Sequence, residues 1–436
     1  MSKTILIKNG RVIDPSSQTD KVLDICIENG KISKIGKNLK VSGAKILDAK
    51  DKIVLPGLID MHTHLREPGK ENVETILSGS IAAVHGGFTS ICCMPNTNPA
   101  IDDASTLNFV LEKAKKARCN VYPIAAITKA RKGETLSEMA ELASLGAVGF
   151  SDDGNGVQDS FLMRRAMEYS LMLNVPIISH CEDESLSSGG SMNEGYTSTV
   201  LGLAGIPKES EEIMVARDLM LAQLTGARLH ICHISTKRSV ELVREAKKRG
   251  VRVTCEVTPH HFTLTEEVVK SFPVNQNKFG SGFDTNTKVN PPLRTKEDIK
   301  AIEKGLKDGT IDVIASDHAP HLSTEKELEY ENAPFGMLGL QTVFPLVIKQ
   351  LVNRKILTLS EAVEKLTVNP AKILNLKKGQ IKVGEDADIT IFDPKKEWQF
   401  KAEDIKSLSK NSPFIGWEFK GKIARVIVGG RVELLE

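Results

Sequence analysis

Apolar and polar positions along this chain follow two rhythms. Near the start, Thr4-Ile5-Leu6-Ile7 leads to the turn pair Asn9-Gly10, Asp24-Ile25-Cys26-Ile27 leads to Asn29-Gly30, and Lys31-Ile32-Ser33-Lys34-Ile35 follows. Short apolar runs joined by Asn-Gly read as hairpins. The same texture returns near the end, in Ala387-Asp388-Ile389-Thr390-Ile391-Phe392 and Arg425-Val426-Ile427-Val428-Gly429-Gly430. Two β segments that bracket a long middle are expected to share one small unit, because chain ends often lie close together.

The middle alternates strand-length apolar runs with helical patterns. Strands are predicted over 58–62, 88–94, 121–126, 147–151, 175–180, 228–233, 251–256 and 311–317. Among the helices, 207–224 carries Glu209, Glu211 and Glu212 in its first turn and stops at Gly226, and 236–249 stops at Gly250. The helix over 295–308 opens on a threonine N-cap, has Asp298 in its first turn and stops at Gly309. Strand–helix units repeated eight times predict an α/β fold, a (β/α)8 TIM barrel. A doubly wound open sheet is the competing layout, but no GxGxxG follows the first strand. The expected organisation is a barrel over 56–374 and a small β-sandwich domain built from both chain ends, 1–55 and 375–436. Two connections are long, 271–293 and 318–336, and read as binding loops, the second as a lid.

Composition narrows the partners. With 40% hydrophobic residues among 436, the chain can bury one large core and a smaller one. Basic residues (58) balance acidic ones (56), no long basic block occurs, and aromatics are 5%, so neither nucleic acid nor an anionic membrane is an expected partner. The seven cysteines are odd in number, form no repeated CxxC and sit mostly in apolar runs, as expected of reduced, buried thiols in a cytoplasmic protein. The first residues lack the apolar core of a signal peptide, and no apolar run is long enough to span a bilayer.

The candidate chemistry lies at the strand ends. Side chains alternate along a strand, so His62 and His64 in Asp60-Met61-His62-Thr63-His64-Leu65-Arg66-Glu67-Pro68-Gly69 share a face and can grip one metal ion, with the charge of Arg66 close by. Asp152 and Asp153 end the fourth predicted strand, His180 the fifth, His233 the sixth and Asp317 the eighth. Each alone has an ordinary explanation, a hydrogen-bonded rim histidine or a helix-capping aspartate. Together they crowd the C-terminal mouth of one barrel, which is its catalytic face. Four imidazoles and two carboxylates exceed the three protein ligands of a mononuclear catalytic zinc and suit a pair of divalent ions. His85 on a helix, His230 on the opposite strand face, His260 and His261 receive no metal role.

The chain resembles the longer bacterial dihydroorotases of the cyclic amidohydrolase superfamily, over nearly its whole length. The resemblance rests on the Asp60–Gly69 stretch quoted above and on Met94-Pro95-Asn96-Thr97, Phe150-Ser151-Asp152-Asp153-Gly154, Ser179-His180-Cys181-Glu182, His233-Ile234-Ser235-Thr236, Lys288-Val289-Asn290-Pro291-Pro292-Leu293-Arg294 and Ala315-Ser316-Asp317-His318-Ala319-Pro320-His321. It implies two Zn2+ per subunit: one on His62, His64, Asp153 and Asp317, the other on Asp153, His180 and His233. Many relatives bridge with a carboxylated lysine, but 147–153 contains none. Asp153 rather than Asp152 is taken as the bridge on the family's spacing, and Asp152 is left to orient a ligand or cap a helix.

The resemblance also implies interconversion of dihydroorotate and N-carbamoyl-aspartate in pyrimidine biosynthesis, through a metal-bridged hydroxide with Asp317 as general acid and base. Substrate would meet His64, Leu65, Arg66, Asn96, Asn290, His321, Phe335 and Gly336, with Arg66 and Asn96 suited to a carboxylate. Among relatives, a homodimer and a complex with aspartate transcarbamoylase are the assemblies to consider. An allantoinase-like or hydantoinase-like amidohydrolase is the nearest alternative. A non-catalytic scaffold for aspartate transcarbamoylase is the other; such a protein is expected to have lost metal ligands, and all six are present here.

Overall fold

The computed structural model describes residues 4–270 and 283–435. The part of the predicted 271–293 connection that spans 271–282 lies outside the described residues. Parallel strands Leu58–Thr63, Phe88–Cys93 and Asn120–Pro123 pair in that order. So do Ile177–Ser179, Leu229–Ile231, Val253–Val257 and Val313–Ile314. Single-residue bridges join the two groups. Phe150 pairs with Ala125 on one side and Ile177 on the other, and Thr63 pairs with His318. The ring is thereby closed, and the fold is a TIM barrel.

The predicted fourth strand survives as pairing at Phe150 alone. The run still exchanges backbone bonds with both neighbours, from Val148 N to Pro123 O, Ser151 N to Ala125 O and Ile178 N to Phe150 O. Past Phe150 the chain leaves the ladder for local bonds: Asp153 N donates to Ser151 Oγ at 3.0 Å. An apolar run in the sequence registers the buried strand, but not the polar turn that cuts its pairing short.

The helices follow their predicted signals. Glu209–Thr225 ends at left-handed Gly226 (φ 75°), where a side chain would be strained. Lys237–Lys248 is capped by Thr236, which accepts from Ser239 N, and Lys296–Lys307 by a Thr295/Asp298 capping box. Their inner faces (Leu219, Val243, Leu306) join strand residues Phe88, Phe150, Ile231 and Val257 in the main core. A second cluster, Met61, Cys92, Ile178, Cys232 and Val313, draws on five barrel strands and fills the interior.

Both chain ends enter one eight-stranded sheet, joined where Ile53–Pro56 pairs antiparallel with Ile389–Gln399. Around its own core of Ile7, Ile25, Val54, Ile389 and Ile427 this forms the small β-sandwich. Thr390 Oγ1 donates to Gly87 O at 2.6 Å, and Ser407 Oγ donates to buried Glu74, tying the C-terminal segment to the first barrel helix. Among the described residues no helix is long and apolar enough to cross a membrane, and all seven cysteines are free and buried.

Candidate metal centre

His62 lies in the first barrel strand and His64 just beyond it; Asp153, His180, His233 and Asp317 follow their own strands within a few residues. The twist of the barrel brings all six to one mouth, and all are buried. Asp153 is central. Its Oδ1 lies 3.3 Å from His62 Nε2 and 3.6 Å from both His180 Nδ1 and His233 Nε2, and its Oδ2 lies 3.5 Å from His64 Nε2. Asp317 Oδ1 is 3.0 Å from His64 Nε2 and 3.5 Å from His62 Nε2. His233 (φ 27°) and Asp317 (φ 46°) both hold left-handed backbone conformations. Such strain costs about 1–3 kcal/mol per residue and persists where surrounding structure over-determines it.

The outward hydrogen bonds decide what the inward nitrogens can do. His62 Nδ1 donates to Glu256 Oε1 at 2.6 Å, His64 Nδ1 to Asn96 Oδ1 at 2.8 Å, and His180 Nε2 to Glu182 Oε2 at 2.9 Å. Each bond fixes the tautomer, so the lone pair of His62 Nε2, His64 Nε2 and His180 Nδ1 faces the aspartates. Lone pairs facing carboxylate oxygens repel unless positive charge sits between them. His62 Nε2 and Asp153 Oδ1 are buried without a hydrogen-bond partner, and His180 Nδ1 meets His233 Nε2 at 3.0 Å. Two triads, His62–His64–Asp153 and Asp153–His180–His233, each hold ligand atoms within 4.8 Å of one another. The donor set and its unsatisfied atoms fit divalent metal. A third group, His62–Cys232–Glu256, is a poor rival, because both Glu256 oxygens are already engaged, Oε1 by His62 Nδ1 at 2.6 Å and Oε2 by His230 Nε2 at 3.2 Å.

Without metal, protons would have to supply the missing charge. Burial opposes a charge on His62, but Asp153 and Glu256 outweigh it and raise its pKa well above the ordinary value. His180 is likewise opposed by burial and raised to about 10 by Asp153 and Glu182. Asp153 and Asp317 are held below the usual carboxylate range: burial works against this, but the imidazoles facing them prevail.

The expected substrate residues fall into three groups. Arg66 is half-buried, and desolvation lowers its pKa to about 10; its Nε donates to Pro320 O at 3.2 Å, and its Nη2 lies 3.4 Å from His321 Nε2. His321 Nε2 donates to Phe335 O at 2.8 Å, which places Arg66, His321 and Phe335-Gly336 together on the rim. Gly336 (φ 129°) must stay glycine, since a Cβ would come within 2.6 Å of Ala319 Cβ. Asn96 gives its amide oxygen to His64 Nδ1. Asn290 Nδ2 donates to Glu182 Oε2 at 2.7 Å. The Leu65 side chain is in the main core, and the residue is 1% exposed. In the 318–336 segment buried Lys326 donates to Pro334 O at 2.7 Å and to Thr285 O at 3.1 Å, while Lys288 Nζ donates to Glu331 O at 2.9 Å.

Several functional contacts were not legible in sequence. Glu256 backs His62 and also lies, through Oε2, 3.2 Å from His230 Nε2, which explains that histidine without a metal role. Buried Asp60 accepts from Ser316 N and His62 N, both at 3.1 Å, tying the last strand to the first. A lone acid inside an apolar barrel strand was the available signal for both. Asp152 does not cap the next helix, which Asp159 caps. Asp152 accepts from Ile127 N (2.8 Å), Thr128 N (3.0 Å) and Thr128 Oγ1, and so shapes the loop from which Arg131 Nη1 reaches Asp153 O at 2.6 Å. His85 lies in helix Ile76–Gly86, and His260 and His261 lie in Pro259–Thr263, outside the ligand groups found among the described residues.

Residues 51–239 match the family model described as dihydro-orotase-like, and 334–433 match that of the amidohydrolase family. The chain is 53% identical to the dihydroorotase of Pelotomaculum thermopropionicum, covering 98% of each chain. It is 51% identical to that of Acetivibrio thermocellus, covering 99% of each. Among solved structures, the L-hydantoinase (dihydropyrimidinase) of Arthrobacter aurescens superimposes with a TM-score of 0.87 at 26% identity, over 100% of this chain and 96% of that one. The D-hydantoinase (dihydropyrimidinase) of a Thermus species gives 0.85 at 27%, over 99% and 95%.

Proposed function

The chain belongs to the dihydroorotase family of amidohydrolases, and from that premise we propose that its barrel mouth opens the ring of dihydroorotate to N-carbamoyl-aspartate and closes it in reverse. The observation that carries this reading is Asp153, within 3.6 Å of the inward nitrogen of four histidines, three of them fixed from outside. We assign one zinc subsite to His62, His64, Asp153 and Asp317, and a second to Asp153, His180 and His233. Imidazole with carboxylate suits zinc. Two bound zinc ions would lower the pKa of water toward neutrality and polarise the ring amide carbonyl.

The remaining work falls to the chain. Asp317, held ionised, takes a proton from the attacking water on Oδ2, the oxygen turned away from His62 and His64, as the water oxygen bonds to the amide carbon, and delivers it to the ring nitrogen as the C–N bond breaks. In cyclisation the same oxygen accepts the proton of the ureido nitrogen. Arg66 binds the substrate carboxylate through its guanidinium, Asn96 Nδ2 adds a second donor, and the 318–336 segment closes over them as a lid. The desolvated charge of Arg66 supports an anionic substrate over a neutral hydantoin. Seven free, buried thiols accord with a cytoplasmic enzyme.

The test is the ultraviolet-monitored turnover of dihydroorotate beside allantoin and hydantoin. Dihydroorotate should be preferred by orders of magnitude, and preference for a neutral ring would overturn the assignment. Arg66→Ala should raise KM for dihydroorotate roughly 10- to 100-fold, the worth of a charged hydrogen bond.

A further inference from the structure

Glu182 belongs to neither zinc subsite nor the expected substrate rim, yet it touches both. A single oxygen, Oε2, accepts from His180 Nε2 at 2.9 Å and from Asn290 Nδ2 at 2.7 Å. Its backbone is held as well: Gln158 Nε2 donates to Glu182 O at 2.9 Å, and Glu184 N donates to Gln158 Oε1 at 3.3 Å. The carboxylate behind His62 differs, because the other group at Glu256 is His230, a wholly buried residue within the barrel wall. At the first subsite His64 is backed directly by Asn96, itself an expected substrate residue; at the second, Glu182 stands as an intermediary between the ligand and the rim.

We propose that Glu182 is a positioning residue that couples the second zinc subsite to the substrate rim, holding the His180 ring with Nδ1 inward while fixing the plane of the Asn290 amide. The coupling rests on the reading above that Asn290 meets substrate. An outer hydrogen bond of this kind typically governs metal affinity about 10- to 100-fold. Coupling between two binding events is reciprocal, so substrate should tighten zinc at this subsite as much as zinc tightens substrate.

The experiment compares zinc-loaded wild type with Glu182→Ala, Glu182→Gln, Asn290→Ala and the Glu182→Ala/Asn290→Ala double variant. Zinc per chain is measured by mass spectrometry after dialysis against one chelator, and KM is measured with dihydroorotate. Glu182→Ala should lose one zinc about 10- to 100-fold more readily and also raise KM. In Glu182→Gln the amide oxygen can take the place of Oε2 and accept both bonds, so KM should recover while zinc retention stays below wild type. The double variant should have the KM of Asn290→Ala alone.

Wild-type zinc retention in both Glu182 variants, or KM effects that multiply in the double variant, would overturn the coupling. Should Glu182→Ala fail to fold, zinc loss from the nearly isosteric Glu182→Gln carries the decision. The zinc measurement needs no substrate, so a wild type that ignored dihydroorotate would sink the functional reading separately.

Discussion

The two proposed zinc subsites share Asp153 and draw on imidazole and carboxylate alike, but the first has Asp317 as a fourth ligand, and the fold supports the two differently. In the first, both imidazoles come from one strand end, and each is backed from outside, His62 by a wholly buried carboxylate and His64 by an amide. In the second, the imidazoles come from two strands. His180 leans on Glu182, whose side chain keeps 13% exposure, and the outer Nδ1 of His233 has no hydrogen-bond partner. Like ligand types need not give equal sites. His62 is set by the barrel interior, where packing leaves little freedom; His64 and His180 are set by Asn96 and Glu182, outside the strands, on the side where substrate is proposed to bind. With a fourth ligand in Asp317 and both imidazoles backed from outside, the first subsite should hold zinc more tightly and release it last.

The comparison can be broken outright at the shared residue. Asp153→Ala removes the carboxylate that touches all four histidines, and zinc per chain should fall at both subsites together, with turnover below detection. Loss from one subsite alone would show that Asp153 does not join them. Asp317→Asn comes next: turnover should fall by about 10^3-fold, within the range for a lost general acid and base, while zinc at the second subsite and the melting temperature stay close to wild type. A smaller effect sharpens the contrast. Glu256→Gln should weaken zinc at the first subsite about tenfold and leave KM for dihydroorotate unchanged, because Glu256 has no link to the rim.

The smallest effect is in protons. Metal-free His180 is held at about 10 and His62 well above its ordinary value, burial notwithstanding, so both carry a proton at neutral pH. Zinc needs those lone pairs, so binding must expel protons, and affinity should rise as pH rises toward 10 and weaken as pH falls. Calorimetry in two buffers of different ionisation enthalpy should report net proton release at pH 7; net uptake would contradict the charge pattern.

Much of this was legible in the sequence because it is written at strand ends. An apolar run that stops at a histidine or aspartate locates both a barrel strand and its functional tip, and repeated units of that kind define the barrel. The paired Asn-Gly turns at the start, and a like texture at the end, foretold a β unit from both ends. What was illegible depends on distant contacts. Glu256 lies 194 residues from His62, and Asn290 lies 108 from Glu182, so no local pattern marks either pair. Leu65 was expected at the substrate and sends its side chain into the core, because the rim meets the helix packing there and an apolar side chain follows the drier path. Asp152 and Asp153 are neighbours with identical chemistry, and only the three-dimensional turn after Phe150 separates a loop anchor from a residue facing four imidazoles.

The central claim, that these six side chains hold a zinc pair which opens dihydroorotate, meets its most direct test in stepwise reloading. Chelator-stripped protein should be given zinc from zero to three equivalents while bound metal and dihydroorotate turnover are followed in the same samples. Bound zinc should saturate at two equivalents, and turnover should rise chiefly as the second is bound. Full turnover in the stripped protein, or saturation of both signals at one equivalent, would contradict it.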